Sequence, residues 1–172
     1  ATLSSDENLL AAALMSTFFV EDFKNLAVSY NLPVRYNLMN TVLENLDIEK
    51  LLSEMKNNND RFYTYFLIYF SNYKMNKYND NIEYYNELKH LLIKHKDLFG
   101  RSANHAFWTS LRINLSLKAH SKEHIANYDY ILKNNIYRKS DSEDFNILLF
   151  RNIVIDMTIE EKYEWLENFV KK

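Results

Sequence analysis

The sequence predicts an all-α fold in which helix-turn-helix pairs stack as a short α-solenoid. The 172 residues include one Gly and one Pro, whereas small barrels, sandwiches and Rossmann or P-loop folds use these residues in turns, bulges and phosphate loops. Apolar residues recur at helical spacing along most of the chain. Three pairs of helical segments also follow one another at intervals of about 40 residues, a period typical of helix-pair solenoids.

The composition is that of a chain that folds as a single domain. Hydrophobic residues make up 47% and charged residues 26%, far from the low-hydrophobicity, high-charge balance of a disordered chain. The absence of Cys excludes disulfides, thiol nucleophiles and thiolate metal sites, and it favours a reducing, cytoplasmic location.

We expect this sequence to be part of a longer chain. The chain opens at Ala1 rather than Met and ends at Lys172 directly after an amphipathic run. The most apolar early stretch, residues 9–20, is too short to span a bilayer and lacks a basic leading region. We therefore expect neither a membrane segment nor an export signal.

Residues 1–59 are predicted to form an N-terminal helical cap. Helical spacing covers residues 4–31 and ends at Pro33, because Pro lacks an N–H and pushes its predecessor out of the helical region. Two short helices are predicted to follow, at 36–46 and 48–56.

Residues 60–172 are predicted to form three helix-pair repeats. The pairs are 60–75 with 80–99, 102–120 with 122–137, and 142–156 with 158–171. The branched run Ile147–Ile155 is read as helix rather than strand, because its apolar residues also meet helical spacing. Residues that favour N-caps stand near the predicted helix starts: Asp47, Asp60, Asp80, Ser102, Ser121, Asp141 or Ser142, and Thr158.

The run of helix pairs resembles tetratricopeptide-like helical repeats. The stretch from Ile147 through Val154 to the segment Tyr163–Phe169 is similar to segments of uncharacterised bacterial proteins of that type. The resemblance covers about residues 60–172. It implies a right-handed superhelix whose concave groove binds a peptide or protein.

One string has the order of a zinc-peptidase motif. His120, Glu123 and His124 match His-x-x-Glu-His, in which two histidines one helical turn apart hold the metal and the Glu acts as base. However, Ser121 fits an N-cap, which would separate the two rings across a helix boundary. We therefore interpret the string as a solvated connector and predict no metal, no cofactor and no catalytic residue.

Aromatic side chains crowd the helix predicted from residue 60. They cover too many faces for one core stripe, so some Tyr rings are expected on a binding surface while most belong to the core. The candidate partner-binding tyrosines are Tyr63, Tyr69 and Tyr73.

Positive charge is concentrated in the centre of the chain. Residues 89–139 carry a net charge of +7 between flanking segments of −5 and −4, although the whole chain has −2. The basic side chains of this segment are Lys89, Lys94, Lys96, Arg101, Arg112, Lys118, Lys122, Lys133, Arg138 and Lys139. On one shared face they would attract an acidic peptide or a nucleic-acid backbone; on separate faces they would be solvated surface.

The sequence thus predicts a non-enzymatic helical-repeat scaffold that binds a peptide or protein partner. Its candidate basic contacts are Lys89, Lys94, Arg112 and Lys118. Two alternatives stay open. One is nucleic-acid binding through an aligned basic surface with aromatic rings between the cations, and the other is a metal-dependent hydrolase at His120, Glu123 and His124.

Overall fold

A computed structural model describes residues 47–137 and 147–171 of the chain. The chain divides into two compact units, residues 1–77 and 78–172. Within the described residues every regular element is an α-helix. The helices are α1 (Ile48–Asn57) and α2 (Tyr63–Lys77) in the first unit, and α3 (Ile82–Lys94), α4 (Arg101–Ile113), α5 (Ser121–Lys133), α6 (Ile147–Ile159) and α7 (Tyr163–Val170) in the second.

The all-α fold class is confirmed for the part of the chain that the structure describes. Each helix predicted there is present, and the branched run at 147–155 is helical. The helices predicted over 4–31 and 36–46 lie outside the described residues. The division between the units falls between the two helices of the first predicted pair, and the grouping of 60–172 into three repeats stays a prediction.

The first unit is held by one face of α1 against several faces of α2. Ile48, Leu52 and Met55 lie at helical spacing on α1 and are buried against Phe66 and Phe70 of α2. Buried residues occur all around α2, as the crowding of aromatic residues predicts. A helix that is apolar on most faces needs packing on more than one side.

In the second unit α3 to α6 each carry buried residues, and α7 contributes half-buried ones. α3 packs on α4, α4 on α5, and α6 on α7. One core cluster joins Tyr128 of α5 to Ile153 and Met157 of α6, with Trp165 of α7 packed against it. No helix of the described ranges is long and apolar enough to cross a membrane.

Three of the described helices end in the same motif, built without Gly. After α1, α5 and α6 a residue in the left-handed region, respectively Asn59, Asn135 and Glu161, lets two N–H groups bond back to carbonyls of the last turn. This is the Schellman motif, in which Gly is usual because it has no Cβ. The one Gly of the chain, Gly100, instead precedes α4 in extended conformation.

The predicted N-caps are confirmed in part. Asp47 caps α1, since its carboxylate accepts the Lys50 N–H at 3.0 Å, which confirms that prediction. The prediction for Asp80 was wrong: Asn81 caps α3, and Asp80 bonds instead to Ser116, 36 residues away. Three further predicted caps were wrong because they lie inside helices: Ser102, Ser121 and Thr158.

Candidate functional site

The three tyrosines predicted as partner contacts lie on α2 in the first unit. Tyr63, Tyr69 and Tyr73 are half-buried and pack against the α1–α2 core cluster. Burial raises the pKa of Tyr69, with a smaller contribution from Tyr65. From this position the three tyrosines stabilise the first unit.

Two of the predicted basic contacts are engaged within the second unit. The Arg112 Nη1 lies 3.1 Å from the Asp156 Oδ2 in a largely buried ion pair. The Lys89 ammonium lies 5.5 Å from the centroid of the Tyr85 ring. Burial lowers the pKa of Lys89, although the nearby Glu123 carboxylate opposes that shift. Arg112 therefore links α4 to α6, whereas Lys89 contacts a ring of its own helix.

The other two basic residues, Lys94 and Lys118, are exposed. Lys94 is in the last turn of α3, and Lys118 lies in the α4–α5 connection with a φ of 69°. Lys89 and Lys94 are five residues apart on α3, a rotation of about 140° around the helix. The structure therefore places these two lysines on different faces of α3.

The histidines of the His-x-x-Glu-His string contact different partners. The His120 Nε2 lies 3.3 Å from the Asp80 Oδ1. The buried His124 places its Nε2 3.2 Å from the Leu115 carbonyl oxygen. Within residues 47–137 and 147–171, no three His, Asp or Glu side chains come together as a metal site. The arrangement of His120, Glu123 and His124 thus supplies no metal-binding geometry.

A cavity of about 380 Å³ in the second unit brings together a different set of residues. It lies where α3 ends, where α4 begins and where α5 ends. We call it the Trp108–Tyr130 pocket. Its lining is Leu92, Lys96, Asp97, Arg101, Asn104, Trp108, Tyr130, Asn134, Asn135 and Ile136.

Two stacked rings give the pocket a rigid aromatic surface. The Trp108 and Tyr130 centroids lie 4.4 Å apart with an interplanar angle of 16°. Trp108 is 2% exposed and supports the half-buried Tyr130 from below. Burial raises the pKa of Tyr130, and the negative charge of Asp97 adds to the effect. The Asp97 carboxylate therefore acts on the same ring that the pocket presents.

Three Asn side chains line the pocket, each held by a hydrogen bond on one side. The Asn104 Nδ2 donates to two carbonyls of the α3–α4 loop (3.3 and 3.0 Å), and the Asn134 Nδ2 donates to the carbonyl one turn earlier (2.8 Å). The Asn135 Oδ1 accepts from the Tyr137 hydroxyl (3.1 Å). These bonds orient the amides and leave two carbonyl oxygens and one NH₂ group for a ligand.

Local sequence explains why these groups meet. Asn134 and Asn135 are the C-cap and the left-handed residue that end α5, and Asn tolerates that conformation better than most residues. Asn104 is one turn into α4 and ties that helix to the preceding loop. Sequence reasoning missed the pocket, because the helix predicted over 122–137 ran through the Asn134–Asn135 pair, whereas α5 ends at Lys133.

The second unit also has two apolar surfaces outside the Trp108–Tyr130 pocket. A groove of about 910 Å³ between α5 and α7 contains Trp165, which stacks on Phe169 at 5.6 Å and donates from Nε1 to the Asp129 Oδ1 at 3.2 Å. α6 carries an exposed aliphatic face. Its members are Ile147, Leu148, Ile155 and Ile159.

Comparison of the chain with protein-family profiles, with curated proteins and with solved structures finds no match.

Proposed function

We propose that this protein is a non-enzymatic helical-repeat scaffold that binds a peptide segment of a protein partner in the Trp108–Tyr130 pocket. The observation that carries the proposal is the combination of a rigid aromatic surface with oriented carboxamides in one cavity. Buried or half-buried aromatic side chains supply most of the affinity in many protein interfaces, because they offer large contact area at low entropic cost.

The carboxamides match the hydrogen-bonding pattern of a peptide backbone. An Asn side chain carries both a carbonyl acceptor and an NH₂ donor, as a peptide unit does. In the described chain the side-chain oxygens of Asn104 and Asn134 and the NH₂ group of Asn135 form no hydrogen bond, so they can pair with a ligand. An extended segment that crosses the pocket can therefore pair its N–H and C=O groups with side chains from α4 and from the end of α5.

The size of the pocket suits one side chain with the backbone on either side of it. Its volume of about 380 Å³ lies at the lower end of the range of about 300 to 1,000 Å³ found for ligand pockets. A partner segment would anchor one residue here and lie along the surface on both sides.

The repeat architecture is part of the proposal. Successive helices pack on one another from α3 to α5 and again from α6 to α7, and the sequence repeats its helix pairs at about 40 residues. Tetratricopeptide-like arrays use such stacked pairs to present an extended surface. Nucleic-acid binding has less support, because the charges of Arg112 and Lys89 are engaged within the unit.

Selection from a displayed random-peptide library tests the proposal with a matched pair of variants. Asn134→Tyr fills the mouth of the pocket. Asn58→Tyr makes the same change at the C-cap of α1, which is also exposed and also followed by a left-handed Asn.

We expect wild type and Asn58→Tyr to enrich the same peptides, and Asn134→Tyr to retain none of them. Circular dichroism of both variants should show wild-type helix content. Equal enrichment by all three proteins, or no enrichment by wild type, would contradict the proposed function.

A further inference from the structure

Oxygen acceptors without a partner collect at the Trp108–Tyr130 pocket. The exposed Asp97 carboxylate forms neither a hydrogen bond nor an ion pair within the described chain. The Oδ1 atoms of Asn104 and Asn134 are likewise unpaired there, because only their Nδ2 atoms are bonded. One carboxylate and two carbonyl oxygens therefore line the same cavity, together with the cations of Lys96 and Arg101.

Helix ends at the pocket add partial charges to those of these acceptors. α3 ends at Lys94, and the following residues Lys96 and Asp97 line the pocket; α5 ends directly before Asn134. The C-terminal end of a helix carries a partial negative charge. α4 contributes its N-terminal end, so two of the three helix ends at the pocket favour a cation.

The chemistry that fits this surface is a planar cation with several donors. A guanidinium stacks on an aromatic face, and its five N–H groups point outward in the plane toward carboxylate and carbonyl oxygens. An ammonium is more strongly hydrated and has no flat face. The stacked ring of Tyr130 and the acceptors around it therefore match a guanidinium better than an ammonium.

We infer that the partner peptide places an arginine side chain in the pocket, an inference that rests on the proposed function. The guanidinium lies on the Tyr130 ring and donates to the Asp97 carboxylate and to the Asn104 and Asn134 oxygens, each of which keeps a second lone pair for a peptide N–H. A partner that offers an arginine is basic at this position, whereas the basic central segment of the sequence suggests an acidic partner.

Two cations of the chain lie at the same pocket, Lys96 and Arg101. Arg101 has interactions of its own within the chain. Lys96 forms no side-chain ion pair in the described residues, and only its backbone carbonyl is bonded. Its ammonium opposes an incoming guanidinium, so Lys96→Gln should bind an arginine peptide more tightly than wild type.

The two tryptophans of the chain provide a direct readout. In protein labelled with ¹⁵N at the indole nitrogens, Trp108 reports on the pocket and Trp165 serves as an internal reference. The probes are blocked heptapeptides, Ala and Ser in sequence, that differ only at the central residue. That residue is Arg, citrulline, Lys, Glu or Leu.

We expect the arginine peptide to shift the Trp108 signal and to leave Trp165 in place. Citrulline has the shape of arginine without its charge, so its peptide should bind about tenfold more weakly. Asp97→Asn should remove about the same factor from the arginine peptide alone. Glu164→Gln, the same change of charge at an exposed residue of α7 outside the pocket, should remove nothing.

The outcomes separate the inference from the proposed function. If library-selected peptides bind the pocket but the leucine or glutamate probe moves Trp108 as far as the arginine probe, the arginine preference is wrong and the peptide-binding function stands. If neither the library nor any probe yields binding at Trp108, both are wrong.

Discussion

Two buried carboxylates near the end of α6, one within the helix and one directly after it, should respond in opposite ways when their charge is removed. Asp156 is 6% exposed, and its Oδ2 accepts hydrogen bonds from the Tyr128 hydroxyl and from Arg112 at 3.1 Å. Glu160 is 7% exposed, and neither of its carboxylate oxygens has a hydrogen-bond partner in the described chain. Among the described residues, the first carboxylate has compensating partners and the second has none.

The expected magnitudes follow from that difference. Asp156→Asn leaves the Arg112 guanidinium without its counter-charge. Breaking a fully buried pair costs about 3 to 5 kcal/mol, and the Arg112 side chain is 19% exposed, so we expect a loss of about 2 to 3 kcal/mol after screening. Glu160→Gln replaces an uncompensated charge by a neutral amide and should stabilise the protein by about 1 to 2 kcal/mol.

Urea unfolding followed by circular dichroism measures both changes. Asp129→Asn is the control. In the described part of the chain this exposed carboxylate of α5 makes one surface hydrogen bond, to Trp165, so the change should alter the free energy of unfolding by less than about 0.5 kcal/mol. A loss of stability in Glu160→Gln equal to that in Asp156→Asn would refute the reasoning. So would an Asp156→Asn variant as stable as the control.

Three other predictions concern backbone strain and pH. Glu161 has a φ of 59° directly after α6. Glu161→Gly should therefore raise the free energy of unfolding by about 0.5 to 1 kcal/mol, whereas Glu161→Ala should not. An equal effect of both variants in thermal unfolding would exclude strain as the cause. Hydrogen bonds from the Ser116 N–H and hydroxyl lower the pKa of Asp80, so its contribution to stability is complete above its unfolded pKa and is lost as the pH falls through the lower folded value. The melting temperature of wild type should therefore approach that of Asp80→Asn in strong acid, and a constant difference between pH 5 and pH 2 would contradict this. Burial raises the pKa of Tyr85 and Tyr128 far above 10. The stability that they contribute is therefore complete below pH 10 and falls above it. Absorbance at 295 nm should show both phenols ionising only when the protein unfolds, and two early transitions in the folded protein would show that they are exposed.

The helices could be predicted from the sequence because periodicity is a local property. Apolar spacing predicts α1 to α7 without any tertiary contact, and the run at 147–155 reads correctly as helix. The helix starts were less predictable, since one residue decides them. Asp80 and Asn81 are adjacent and both are good N-caps, and only the long-range bond from Asp80 to Ser116 assigns the cap to Asn81.

The candidate site was harder to predict because its parts are far apart in sequence. A count of basic residues marked the central segment, but it could not reveal that Arg112 pairs with Asp156, 44 residues away. Likewise, Trp108 and Tyr130 meet only because α4 packs on α5. The Asn134–Asn135 pair at the end of α5 was the part of the pocket with a local signal.

Photo-cross-linking tests the central claim most directly, because it locates a bound peptide without altering the protein. A library-selected peptide that carries a benzophenone beside its anchor residue is irradiated with the wild-type chain, and the adduct is mapped by mass spectrometry. The pocket predicts attachment within residues 92–108 and 130–136. Attachment confined to the exposed aliphatic face of α6, residues 147–159, would contradict it.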